Sequence, residues 1–277
     1  MKIEGWKYYN HAAVPICAPH EQVNLEQIKS KKIWKIDGGY PLLARWTSDY
    51  DCEENTGWWY VVREAPFNIE DFSSKRRKNI RQSLKKCYVT QIDPLEYCDD
   101  LYSVYTAAFL KYKEADNELT FEDFRDRCQK DKKDKVEYWG GFSAEKNLLI
   151  GYMTVESHEE YVETCVAKYH PDYLKDRVSD AIHFNVLEYY LNDKGKKYVS
   201  SGTRNINHIT NAQQYKIDNF GFRCVYCKLH VEYNPVIKPI VYLLYPFRKV
   251  IKKMDKNVMV HQIVSVLTME EIARQSK

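Results

Sequence analysis

No run of about eighteen apolar residues occurs in the 277-residue sequence, so nothing in it reads as a membrane-spanning helix. The start, MKIEGWKYYNH, lacks the basic, apolar and small-residue blocks of a secretory signal, and a cytoplasmic location is the expectation. Glycine is sparse, at 10 residues, and no Gly/Ser linker, internal repeat or low-complexity tract marks a domain boundary. The motifs G-x-S-x-G, H-E-x-x-H, G-x-x-x-x-G-K-[ST] and G-x-G-x-x-G are missing, which sets aside hydrolase, metalloprotease, kinase and dehydrogenase readings. The eight cysteines are scattered through a chain that is 44% hydrophobic and able to bury a core without disulfide staples, so they read as reduced thiols. Only Cys224 and Cys227 stand close together. No second pair or His set completes a tetrahedral site, and no metal is expected.

A net charge of +3 does not by itself imply nucleic acid. Its distribution is more informative, because basic residues cluster over 75–86 and 248–253, each beside apolar structure.

Periodicity supplies the elements. Residues 1–57 read as irregular and aromatic-rich, with a turn at Gly38, Gly39 and Pro41, and Trp58 to Arg63 reads as a buried strand. Ser73 to Cys87 reads as a helix with Ile80, Leu84 and Cys87 on its apolar stripe, and Arg77 and Arg81 on its shoulder where they could reach a ligand. A strand at Tyr88 to Ile92 precedes a helix whose stripe runs from Leu95 to Tyr112, and Thr120-x-x-Asp123 is a capping box opening a second helix. Three alternating runs, Val136 to Phe142, Leu148 to Ser157 and Tyr161 to Lys168, read as an antiparallel meander. Val178, Ile182, Val186 and Tyr189 mark a helix stopped by Lys194-Gly195, followed by a strand at Tyr198 to Ser200, a helix from Ile209 to Phe220 and one long strand from Phe222 to Tyr233.

That order, strand, two helices, three strands, helix, strand, helix, strand over 88–234, resembles the GNAT superfamily of acyl-CoA N-acyltransferases. The implied fold class is α+β with a mixed sheet, an addition at 1–87 and an extension at 235–277. The segment NAQQYKIDNFGF at 211–222 is similar to the GNAT segment where an Asn and a Tyr precede a Gly-Phe pair, although the usual Tyr stands closer to that pair than Tyr215 does. The resemblance implies Tyr215 as proton donor to a leaving thiolate, Asn211 as a cofactor contact, and acetyl-CoA or another acyl-CoA as cofactor.

GNAT enzymes usually hold the pyrophosphate on a Gly-rich turn before the third helix, whereas here the turn is KYHPDYLKDRVSDA, without Gly. Lys175 and Arg177 would substitute charge for backbone donors, beside Val178 and Ser179 at the helix start. That departure, the basic helix KRRKNIRQSLKKC and the N-terminal addition are similar to the FemABX-like branch, whose members transfer amino acids from aminoacyl-tRNA to peptidoglycan precursors. FemABX proteins carry two GNAT-like domains, and one complete core is legible here, with at most a partial second in 1–87.

Amide formation needs near-attack geometry, a base and donors at the developing oxyanion. Glu163 or Glu156 would serve as base, and Arg204 and Asn205, after a core strand, would meet substrate. Each has a plain alternative: a solvated strand carboxylate, a packed tyrosine, a helix cap, a turn. Pro235 to Phe247 with RKVIKK fits either a membrane interface or docking on the core sheet, and Thr268-x-x-Glu271 is expected to cap a final short helix. The functional expectation is an N-acyltransferase moving an acyl group from an acyl-CoA thioester to an amine, such as a cell-surface polysaccharide or peptidoglycan precursor. Its rivals are an aminoacyl-tRNA-dependent transferase with tRNA as partner and a non-catalytic GNAT-fold binding module.

Overall fold

The helices that begin at Ser74 and Phe121 are opened by hydroxyl caps. Ser73 Oγ accepts the Arg76 N–H at 3.3 Å, and Thr120 Oγ1 accepts the Asp123 N–H at 3.2 Å while donating to its carboxylate at 2.7 Å. The computed structural model describes residues 1–111, 118–206, 211–255 and 257–276, so Tyr112 and the expected helix start at Ile209 lie outside the described residues. In chain order the elements begin with β1 (Trp6–Tyr9), β2 (Ala12–Pro15), α1 (Glu26–Lys29), β3 (Leu43–Ser48), β4 (Trp59–Glu64), α2 (Ser74–Lys86) and β5 (Cys87–Ile92). Then follow α3 (Cys98–Phe109), α4 (Phe121–Lys133), β6 (Glu137–Ser143), β7 (Leu149–Ser157), β8 (Tyr161–Tyr169) and α5 (Val178–Leu187). The remainder is β9 (Tyr198–Thr203), α6 (Ala212–Phe220), β10 (Arg223–Tyr226), β11 (Lys228–Tyr233), α7 (Ile237–Leu244), α8 (Arg248–Lys253) and α9 (Val258–Gln275).

Two compact units share these elements. One comprises Met1–Tyr60, Thr203–Asn211 and Cys224–Lys277, the other Val61–Gly202 and Ala212–Arg223. Both are discontinuous in sequence.

The second unit is organised on the strands β9-β8-β7-β6-β5, in that order, with Val61–Glu64 of β4 next to β9. β5 to β8 form the antiparallel meander, and β9 joins β8 in parallel, which makes the sheet mixed. Side chains alternate between its faces. Phe142, Tyr138 and Tyr152 meet Leu101, Tyr105 and Phe124 of α3 and α4 on one face. On the other, α5 lies so close to β6 that a Cβ on Gly141 would come within 2.5 Å of Val178 Cγ2 and 2.8 Å of Ile182 Cδ1. The α2 stripe differs from its expectation: Arg76, Ile80 and Ser83 are the buried residues, and Leu84 is exposed. A buried ion pair on Arg76 turns the helix by about one position.

The first unit carries a four-stranded sheet ordered β1-β2-β3-β11, so the stretch 1–57 is less irregular than its short strands suggest. The expected single strand from Phe222 to Tyr233 is two strands in two sheets. They part at Cys227, whose N–H reaches Trp58 O at 3.1 Å and whose carbonyl accepts Thr56 Oγ1 at 2.6 Å. Thr268 does not cap a helix. It lies inside α9, its hydroxyl bonded back to Val264 O at 2.8 Å, and Asn257 caps the helix by accepting the Val260 N–H at 3.0 Å. α9 buries Leu267, Ile272 and Ala273, with Ile272 and Ala273 packed around Trp58 and Leu229.

Gly141→Ala is expected to overpack the β6–α5 contact and lower unfolding stability by about 1–3 kcal/mol, read as a lower urea midpoint at unchanged slope.

Candidate functional site

A buried charged knot ties three helices of the second unit. Arg76 of α2 donates two bonds to Asp180 of α5, at 3.0 and 2.8 Å, and a third from Nε to Asn219 O of α6 at 2.9 Å. Arg76 is 8% exposed and Asp180 3%, so the pair is desolvated and its bidentate geometry carries the compensation. The guanidinium also lies 4.4 Å from the Phe220 ring centroid. Tyr215 donates its phenolic proton to the same carboxylate and therefore accepts from Ser179 Oγ at 3.2 Å. Burial first, and then the Asp180 charge, push the Tyr215 phenol well above its ordinary range. Next to it His183 is neutral: burial pushes it down to about 3, Nδ1 donates to Ser179 O at 2.7 Å, and Nε2 is buried without a partner among the described residues.

The second feature is an opening in the sheet. β8 and β9 pair only over Tyr161–Glu163 and Tyr198–Ser200. Two local irregularities coincide with the end of that ladder. On the β7 side, Cys165 and Val166 together face Thr154 in a bulge, with the Val166 N–H held by Thr154 Oγ1 at 3.0 Å. On the other side, Gly202 takes φ +76°, which a side chain would strain. Lys216 of α6 enters this gap. It is 7% exposed and donates to Thr164 Oγ1 and Ser201 Oγ, both at 2.7 Å, while Thr164 passes its own proton to Ser200 O at 3.0 Å. Burial pushes the Lys216 ammonium down to about 8, offset in part by Cys165 and then by the Glu163 carboxylate. These hydroxyls take two of its three donors, and Nζ lies 5.8 Å from the Phe222 ring centroid. Glu163 stands half-buried beside Gly202 and opposite Glu156 across the β7–β8 ladder, and Glu156, likewise half-buried, lies 4.0 Å from His158.

A third feature lies at the start of α5. Lys175 and Arg177 line a cavity of about 290 Å³ together with Gln82, Lys85 and Lys86 of α2. Arg177 itself adopts φ +59°, the left-handed conformation a Gly would take without strain. Val178 is in the core, so only its backbone can meet a ligand there, and Ser179 is engaged with Tyr215.

The remaining expected residues lie elsewhere. Arg77 bonds Glu70 O and Phe72 O, and Arg81 pairs with the Glu70 carboxylate at 3.0 Å, so both shoulder arginines fasten the preceding loop. Arg204, in the first unit, donates to Gly57 O at 2.6 Å and lies 4.8 Å from the Trp59 ring centroid, with Asn205 exposed beside it. Asn211 is exposed just before α6. Sequence reasoning passed over Arg76, Lys216, Thr164 and Ser201. Lys216 adjoins Tyr215 inside the segment already singled out, but one lysine in a polar helix carries no periodic signal of burial.

Removing one partner of the knot strands a buried charge, so Arg76→Ala or Asp180→Ala is expected to cost about 3–5 kcal/mol in urea unfolding, with Arg76→Met/Asp180→Leu recovering much of it. The Lys216 effect has a defined sign. Its folded value of about 8 lies below the usual 10.5, so between those values the unfolded chain holds more protons and stability rises with pH. Relative to Lys216→Met, the wild type is expected to gain stability from pH 8 to 10, measured by parallel urea titrations.

No family model and no curated protein matches the sequence. Among solved structures, FemX matches with a TM-score of 0.59 at 7% identity, covering 86% of this chain and 85% of its own. L-PGS from Bacillus licheniformis matches with a TM-score of 0.50 at 13% identity, covering 97% of this chain and 85% of its own. At such identities the likeness is one of fold, and the chain has the GNAT-like, FemX-like α+β fold that its element order implies.

Proposed function

We propose that this chain is a GNAT-fold transferase that joins an activated aminoacyl carbonyl to an amine, with the reaction centred where β8 and β9 part. The observation that carries the reading is Lys216: a buried ammonium held by two hydroxyls, at the end of a ladder opened by a bulge on one strand and Gly202 on the other. In a desolvated gap such a group stabilises the oxyanion that forms as the amine attacks, without reorganising. The new C–N bond forms as the donor's C–O bond breaks, and the amine's proton passes to the leaving oxygen, with Glu163 as the carboxylate able to relay it.

An aminoacyl-tRNA ester fits this chain better than a thioester. The turn before α5 has no Gly, and Tyr215, the residue a thiolate would need, gives its proton to Asp180. The cations lining the α5 cavity suit the phosphates of a tRNA end, and the FemX-like fold supports the same donor class. The acceptor class is an amine on a cell-surface or peptidoglycan precursor. Acyl-CoA is the second reading, favoured by the position of that basic cavity at a helix start.

The test is transfer of labelled amino acid from charged tRNA to precursor amines, beside an acyl-CoA series. Transfer should fall by about 10²-fold or more in Lys216→Met, and tRNA affinity should drop in Lys85→Glu/Lys175→Glu with a shallower salt dependence. Because the ammonium is the working form, the rate should decline as pH rises through about 8. Transfer only from acyl-CoA would replace the donor, and absence of transfer from either would leave a binding module.

A further inference from the structure

The chain leaves an unusual surface on the first unit, unrelated to the residues of the proposed reaction. From α7 through the 3-10 turn Tyr245–Phe247 to α8 the backbone is helical without a break. One side of this run faces inward: Val241 is buried, and Ile237, Leu244, Tyr245 and Ile251 pack with it around Leu43, Tyr233 and Leu267. A second apolar row faces out. Val236, Ile240, Leu243, Phe247, Val250 and Met254 succeed one another at intervals of three or four residues and are 50% to 70% exposed.

The charges carried by the run itself are of one sign. Between Pro235 and Met254 there are five cations, Lys238, Arg248, Lys249, Lys252 and Lys253, and no acid. Lys238 and Arg248 are bound inward to Glu232 and Glu271 at 2.9 and 2.8 Å, while Lys249, Lys252 and Lys253 are exposed on α8. Docking of a second copy through this row would set these cations against their equals. An anionic bilayer surface meets both demands, taking the apolar side chains at the acyl boundary and the lysines at the headgroups. Among the described residues no helix is long and apolar enough to cross a membrane, so the run would lie in the interface.

We infer that α7 and α8 form a peripheral docking surface for anionic lipid bilayers, with Leu243 and Phe247 inserted and Lys249, Lys252 and Lys253 on the headgroups. The intact protein is tested by flotation with vesicles of phosphatidylcholine alone and of phosphatidylcholine with phosphatidylglycerol at about 2:1. Binding is expected only to the anionic vesicles, and should weaken between about 0.1 and 0.5 M salt. Leu243→Glu/Phe247→Glu should abolish it. Lys249→Glu/Lys252→Glu/Lys253→Glu should weaken it at least about 10-fold. All five positions are exposed, so circular dichroism and melting should match the wild type in both variants. Failure to float with anionic vesicles, or equal flotation of Leu243→Glu/Phe247→Glu, overturns the inference. So does a dimer by light scattering that this variant dissolves while the wild type ignores vesicles, since the occupant is then a second copy.

Discussion

The second unit depends on one desolvated ion pair, Arg76 with Asp180. Taking both charges out of water costs several kcal/mol each, and the cost is recovered only because the guanidinium is bidentate and spends its third donor on Asn219 O. That requirement sets the rotation of α2 and its approach to α5 and α6. It also determines what the start of α5 can do. An acid in the first turn already answers the helix dipole, and the adjacent tyrosine is committed to it, so an anionic ligand must be met by the cations on the rim.

Because the knot holds α6 against α5, Lys216 is held in the gap between β8 and β9. A lysine there has two hydroxyls as its hydrogen-bond partners, and desolvation brings its proton within reach of neutral pH. Structure and reactivity share one cause at this point. The bulge and Gly202 end the ladder, the ended ladder admits the side chain, and the side chain becomes a shielded charge able to answer one that develops on a substrate.

Most of the core's elements were legible along the chain. The capping box at Thr120, the alternation from Val136 to Lys168 and the stripe Val178, Ile182, Val186 depend on neighbours in sequence, and they stand where periodicity puts them. The misreadings have a common origin. Thr268 satisfies a motif but bonds backward inside a long helix, and Phe222 to Tyr233 alternates like one strand yet parts at Cys227 because Thr56 and Trp58, distant in sequence, take its backbone groups. Leu84 looks like the core residue of α2 until Arg76 is found buried instead.

By itself the sequence determined the element order, and with it the α+β fold class, because hydrophobic period and local caps act over a few residues. It also determined the concentration of cations at 75–86 and 248–253. Only tertiary structure decided which arginine of Arg76, Arg77 and Arg81 is buried, which lysine lies in a cleft, and which of two apolar rows on α7 and α8 faces the core. Those outcomes depend on desolvation and on partners distant in sequence, Asp180 for Arg76 at 104 residues and Thr164 for Lys216 at 52, and no local pattern encodes such distances.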